Sequence, residues 1–460
     1  TIIHCAMDIL ERIGISGTPD WLLPSLRDRG ARLRDDGRIL FPRDTVERAI
    51  RHAPAQVALP GFLPHLGLEI GGGRVHVGTG GAAVQTLDAE TDRFRDSTLL
   101  DLYQAMRVLD GCEHVSYGVR LLVARDMPTP LDLDINTAFA CLKATAKPIG
   151  ISFDNADHVA PVCRMFDIAL GEEGAFRGRA FCMAIIVHAV SPLRYAGEGV
   201  AIMSAAIDQG MPLQICTAGQ AGATSPAALS GALAQGLAEA LSGLMVVDAI
   251  CPGHPCIFAL MPFVSDLRTG AMSGGGGESA VANAAAAQLL RQLDLPSTVS
   301  AGMTDAKIAD AQAGYEKGYS VALAAHAGAD MINLSVGMLG SIMVASKEAL
   351  VIDNEMCGAI LRSVRGIEVR DDLLDLEAIE RVVSGDGPYL GEPQTLALMK
   401  SEYLYPQIAD RQSVPDWIES GSTSIWHRAR SQVTNLLQDA PTHLSAKAED
   451  RIRSEFDIHL

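Results

Sequence analysis

Phe181-Cys-Met-Ala-Ile-Ile-Val-His188 and Pro212-Leu-Gln-Ile-Cys-Thr-Ala218 decide the fold. Each is a short run, apolar at nearly every position, the pattern of a strand covered on both faces. Residues 194–209 between them carry apolar side chains at helical spacing, so the three segments read as strand, helix, strand. Working outward, similar runs begin near Val75, His114 and Pro148 on one side and near Pro255, Thr298 and Asp330 on the other. Consecutive runs are separated by about 30 to 45 residues, the length of a β/α unit. Helical patterns fill the remaining gaps at 99–111, 132–145, 157–170, 226–248, 278–293 and 311–328, and one more follows at 346–364. Eight such pairs predict a (β/α)8 TIM barrel over residues 71–370, with a doubly wound open sheet as the alternative. Residues 1–70 read as an N-terminal helical cap, with helices near 2–13, 19–30 and 43–53. Residues 371–460 read as a C-terminal helical extension broken at Gly385, Gly387-Pro388 and Pro415-Asp416.

Composition removes several classes of function. Of 460 residues, 37 are Lys or Arg and 55 Asp or Glu, a net charge of −18, and no basic cluster occurs. That argues against a nucleic-acid partner. No apolar run reaches the roughly 18 residues that span a bilayer, so no membrane partner is expected. The start, Thr1-Ile2-Ile3-His4, lacks the basic-then-apolar form of a signal peptide. Nine cysteines without a C-x-x-C pair fit reduced core thiols, hence a cytoplasmic location.

In a barrel the chemistry lies where strands end and the following loops begin. The candidates there are Thr79, Gly80, Gly81 and Gln85 in the first loop, then Tyr117, Arg120, Phe153, Asp154 and His188. The later loops add Gln220, Met261, Phe263, Arg268, the run Gly274-Gly275-Gly276-Gly277, and the polar stretch from Gly302 to Gly318. That stretch holds Asp305, Asp310, Gln312, Tyr315 and Glu316. Asp310 also reads as the N-cap of the helix opening at Ala311. Tyr315 and Glu316 face either a substrate or the packing around that helix. The glycine run would suit an anion at a helix start, but Glu278 would repel it. The run otherwise admits a large flat ligand, or is simply a flexible loop. His188 is a base, a ligand, or a hydrogen-bonded structural histidine. Cys182, Cys216 and Cys256 fall on three strands at different depths, so core thiols are preferred to a zinc site and no metal is expected. Carboxylates and the rings of Tyr117, Phe153, Phe263 and Tyr315 together suit an organic cation.

Four segments resemble the trimethylamine methyltransferase family. They are Gly71 to Gln85; Gly302-Met-Thr-Asp-Ala-Lys307 through Asp310-Ala-Gln-Ala-Gly-Tyr-Glu316; Asp266-Leu-Arg-Thr-Gly-Ala271; and Glu392-Pro-Gln-Thr-Leu396 with Tyr405 to Arg411 and Trp417. The resemblance spans nearly the whole chain. It implies a barrel that moves a methyl group from a methylated amine to the Co(I) of a corrinoid (cobalamin). The corrinoid is carried by a small separate protein, so none is bound tightly by this chain, and self-association into a homo-oligomer is expected. Archaeal trimethylamine enzymes of the family carry pyrrolysine, whereas this chain has only standard residues, which favours quaternary, betaine-type donors such as glycine betaine. On this reading Tyr117, Phe153 and Tyr315 frame the ammonium, and Asp154 or Glu316 supplies negative charge. His188, Gln220, Gln312 or Arg268 holds the donor's carboxylate. Gly80, Gly81 and Gly274, Gly275, Gly276 and Gly277 lie near the corrin. The competing readings are a barrel lyase or isomerase of small acids with His188 as base, and a non-catalytic betaine-binding protein.

Overall fold

The computed structural model describes residues 1–88, 90–385, 387–438 and 443–460. Eight short parallel strands form its centre: β1 (His76–Val77), β2 (Gly118–Val119), β3 (Ile149–Ile151), β4 (Cys182–Val187), β5 (Leu213–Thr217), β6 (Cys256–Leu260), β7 (Ser297–Ser300) and β8 (Met331–Asn333). Each strand from β2 to β8 pairs with the next, and β8 pairs with β1. The last gap closes where Gly78 bridges Tyr117 and the Ser116 amide donates to the Val77 carbonyl at 2.9 Å. The sheet is therefore a closed barrel and the open-sheet alternative falls. Around it lie α1 (Leu99–Asp110), α2 (Pro130–Ala144), α3 (Val159–Leu170), α4 (Gly197–Asp208), α5 (Leu229–Ile250), α6 (Gly277–Gln292), α7 (Ala311–His326) and α8 (Lys347–Arg365). Local chemistry starts several of them. The Thr98 hydroxyl and the Asp101 carboxylate cap α1 reciprocally, and Asp310 caps α7 by accepting from the amides of Gln312 (2.9 Å) and Ala313 (3.2 Å).

The helix α5 has the length and apolar composition to cross a membrane, contrary to the expectation that no segment would. It is instead a core element, buried along most of its length between the barrel and the N-terminal helices Ile2–Asp8, Leu23–Asp28 and Arg43–His52. Asp248 near its end receives His52 Nδ1 at 2.6 Å and the Arg29 guanidinium at 3.7 Å, which ties the two layers together. An antiparallel hairpin, Val57–Leu59 with Leu68–Ile70, follows these helices. Its Val57, Leu59 and Ile70 pack with Val119, Met183, Ile257 and Met331 of the barrel interior, so it plugs the end where the strands begin. The C-terminal helix Ile425–Gln438 lies against α8 and α1, and Ala446–Glu455 against α3.

Two small sheets build the opposite rim. Met338–Leu339, Val344–Ala345, Gln85–Asp88 and Arg93–Asp96 pair in that order and join the loops after β8 and β1. Gln220–Ala221, Phe263–Ser265 and Met272–Ser273 do the same for the loops after β5 and β6.

Candidate active site

The polar loop after β7 is knotted to the glycine run. The Asp305 carboxylate accepts from the amides of Gly274 (2.8 Å) and Gly275 (3.3 Å) and from the hydroxyls of Ser273 (2.9 Å) and Ser341. Burial alone would raise its pKa, but these donors outweigh burial and hold it below the ordinary carboxylate value. Glu316, buried one turn into α7, accepts from Thr304 Oγ1 (2.5 Å), the Asp305 amide (2.9 Å) and Gln312 Nε2 (2.9 Å). Gly275 must lack a side chain, because a Cβ there would lie 2.2 Å from the Glu316 carboxylate. The structure thus brings Gln312, Glu316, Gly274 and Gly275 together, with Gly276 and Gly277 opening α6 beside them. Both carboxylates are occupied in holding the rim, and the amides of Gly274 and Gly275 are already used on Asp305.

Several other candidates stand apart from this knot and from one another. Tyr117 is buried inside the barrel, packed against Gly78, and its hydroxyl donates to Asn333 Oδ1 at 2.7 Å. His188 lies between barrel and α5: its Nε2 is 2.9 Å from the Glu239 carbonyl, and burial pushes its pKa down to about 4. The imidazole is neutral there, and its Nδ1 has no partner among the described residues. The Arg268 side chain is 89% exposed at a hairpin tip and is held by Asp266 at 2.8 Å. Tyr315 is 60% exposed on α7. Gln220 sits in the rim sheet, its Nε2 donating to Ser265 Oγ at 2.8 Å. Gly80 and Gly81 have positive φ, and a Cβ on Gly81 would meet Met338 at 2.5 Å, so these glycines let the loops after β1 and β8 pack closely. Cys182, Cys216 and Cys256 are buried thiols whose pKa burial raises, that of Cys216 to about 12.

What remains uncommitted lies at the ends of β2 and β3. Alternation along β4 puts Met183, Ile185 and Val187 on one face, and Met183 belongs to the interior cluster. Val187 is therefore on the inner face at the mouth, and its 53% exposure shows that the mouth is open. Beside it, Phe153 is buried and Asp154 exposed just past β3. Arg120, one residue past β2, is partly exposed. Burial lowers the pKa of its guanidinium, and the charges of Asp134 and Asp154 oppose that shift. Among the described residues no side chain forms a hydrogen bond or ion pair with Arg120 or with Asp154. The nearby Asp134, by contrast, is engaged through its Oδ2, which accepts from the Asp154 amide (2.8 Å) and lies 2.7 Å from His158 Nδ1. Arg120 is the residue that sequence reading placed at a strand end without giving it a role. Its position was legible; its lack of a partner was not.

The comparisons with known proteins bear on the whole chain. The family profile described as trimethylamine methyltransferase (MTTB) matches residues 1–456. A glycine betaine methyltransferase of Desulfitobacterium hafniense (strain Y51) is 28% identical, over 89% of this chain and 85% of its own. A trimethylamine methyltransferase MttB of Desulfitobacterium hafniense (strain DSM 10664 / DCB-2) is 27% identical, over 98% of this chain and 91% of its own. Among solved structures, a dihydropteroate synthase of Xanthomonas albilineans aligns with 68% of this chain and 99% of its own, at 13% identity and a TM-score of 0.39. With the four motifs quoted above lying inside the matched span, the chain belongs to the trimethylamine methyltransferase family and is a methyltransferase by that membership.

Proposed function

We propose that this chain moves a methyl group from a quaternary, betaine-type amine to the corrinoid of a small separate protein that docks over the barrel mouth. The observation that carries the donor assignment is the pair Arg120 and Asp154, opposite charges on neighbouring strand ends that no other side chain among the described residues uses. A betaine carries a carboxylate and a quaternary ammonium within one small molecule. Arg120 is suited to the carboxylate, since a guanidinium offers paired donors. Asp154 and the ring of Phe153 are suited to the ammonium. Glu316 and Gln312 then support the rim rather than touch the donor, and Tyr117 shapes the barrel interior.

The corrinoid would supply the methyl acceptor. What the chain contributes is orientation of one nitrogen–methyl axis toward the mouth and exclusion of water around it. When that bond breaks, its electron pair stays on nitrogen and a neutral tertiary amine leaves, so no side chain has to deliver a proton. Trimethylamine would instead need protonation or equivalent activation before it could release a methyl group well. The open mouth fits approach of a flat group from outside, because the inner face at Val187 is uncovered. A lyase using His188 as base gains no support, since that imidazole faces α5 and holds its hydrogen bond there. The nine unpaired cysteines favour a reducing compartment such as the cytoplasm.

The test is an anaerobic absorbance assay with Co(I) cobalamin and a panel of glycine betaine, carnitine, proline betaine, choline and trimethylamine. Formation of methyl-Co(III) with a carboxylate-bearing quaternary amine, and not with trimethylamine, is the expected result. Turnover of trimethylamine alone would overturn the donor assignment. Calorimetric binding of a betaine with no methyl transfer, even with a corrinoid protein supplied, would leave a sensor instead.

A further inference from the structure

Between the end of α8 and the helix Ile425–Gln438 the chain behaves unlike the rest of the molecule. Among the described residues of 366–404 the chain holds only short helical pieces: Asp371–Leu374, Leu376–Ser384, the 3-10 turn Tyr389–Gly391 and Pro393–Leu398. Among the described residues of this arm the only buried apolar side chain is Ala378. Ile367, Val369, Leu376, Val383, Leu390 and Leu396 are each 72–87% exposed. On Leu376–Ser384, Leu376, Ile379 and Val383 share one helix face that is 44–76% exposed. Together the exposed side chains of the arm present on the order of 1,000 Å² of apolar surface, where a monomer usually leaves a patch of a few hundred.

We propose that residues 366–404 are a self-association arm whose apolar face docks on a second copy of this chain. Three observations choose that occupant. The first is area. If each copy covers the other's arm, on the order of 2,000 Å² of arm surface alone is removed from water, the scale of an obligate homodimer. A two-fold axis lets the same patch serve both copies.

The second is position. Glu402 anchors the arm to Arg362 (3.0 Å) and Arg365 (3.7 Å) in the last turn of α8. Barrel helices run back from the mouth, so their last turns lie at the plugged end. A methyl-acceptor protein over the mouth would leave this surface bare.

The third is charge. Within the arm Arg370 pairs with Glu368 and Asp372, and Arg381 with Glu392, so its guanidinium groups are satisfied internally. Two chains of net charge −18 repel, so apolar contact must supply the attraction. Salt should then strengthen association by screening the repulsion.

The experiment is sedimentation velocity on the 460-residue chain at micromolar concentration, at low and high salt, beside two variants. In Leu376→Asp/Val383→Asp both changed positions are exposed in the protomer, so folding should survive and far-UV circular dichroism checks that it does. The control, Val281→Asp, changes an exposed apolar residue on α6 outside the arm. The expected result is a dimer or larger assembly for the parent and for the control, tightened by salt, and the 48.7 kDa protomer for the double variant. A parent that stays at the protomer mass overturns the proposal. So does a folded double variant that keeps the parent's mass, or a control that dissociates as readily.

Discussion

Arg120 is worth more to a substrate than to the fold if its guanidinium has been kept free for a partner from outside. Replacing it by Ala should lower kcat/KM for a carboxylate-bearing donor about 10- to 100-fold, the loss of one or two charge-assisted hydrogen bonds. Choline, which has the quaternary nitrogen but no carboxylate, should be nearly unaffected. Steady-state rates for both donors with parent and variant decide it, and equal losses for the two would place Arg120 in the scaffold instead. Single residues were unevenly legible in the sequence. Asp310 could be read as a cap because its partners are two and three residues away, and the structure confirms it. Glu316 could not be separated from a binding role, because two of its three commitments, to Thr304 and the Asp305 amide, depend on how the loop after β7 folds back over α7. His188 closes its strand on the face toward α5, and only the three-dimensional packing reveals that.

Among the elements, the rim knot sets how firmly the mouth is held. Asp305, itself in the segment after β7, gathers donors from the segments after β6 and β8, so Asp305→Ala should release all of them at once. A loss of about 1–3 kcal/mol is expected, since charged hydrogen bonds are lost and some donors stay unpaired. The pH dependence follows from the sign of the shift. The carboxylate's pKa is lower folded than unfolded. Its stabilisation is therefore complete above the unfolded value, about 3.9, and is lost as pH falls through the folded value below it. The melting-temperature gap between parent and Asp305→Ala should be widest near neutrality and narrow below about pH 4. A gap constant down to pH 3 would mean that the charge is not what holds the knot. The barrel strands were readable because continuous apolar runs alternate with helical spacing at a regular interval. The rim sheets were not, because their strands are two to four residues long and pair across up to about 260 positions, as Thr86 does with Ala345. No local period records such a pairing.

At the scale of the whole molecule the question is whether the N-terminal segment is an appendage or part of the fold. One continuous core answers it, running from Ala6 and Leu26 through the barrel helices to Val433 and Ile452. The hairpin Val57–Leu59 with Leu68–Ile70 goes further, because its apolar side chains complete the barrel interior itself. Leu59 is fully buried among residues drawn from several strands. Truncating it leaves a cavity at the plugged end that neighbouring strands, locked into a closed ring, cannot readily collapse to fill. Leu59→Ala should then cost about 2–5 kcal/mol, and that cost should fall on the barrel and not on the hairpin alone. Urea unfolding followed by far-UV circular dichroism reports the barrel helices, while tryptophan fluorescence reports Trp21 before the hairpin and Trp417 and Trp426 near the other end. Both probes should shift to lower urea together in the variant. A separate early transition in fluorescence, with the dichroism midpoint unmoved, would make the segment a detachable cover. Coincident shifts would show that the strands need their plug in order to close.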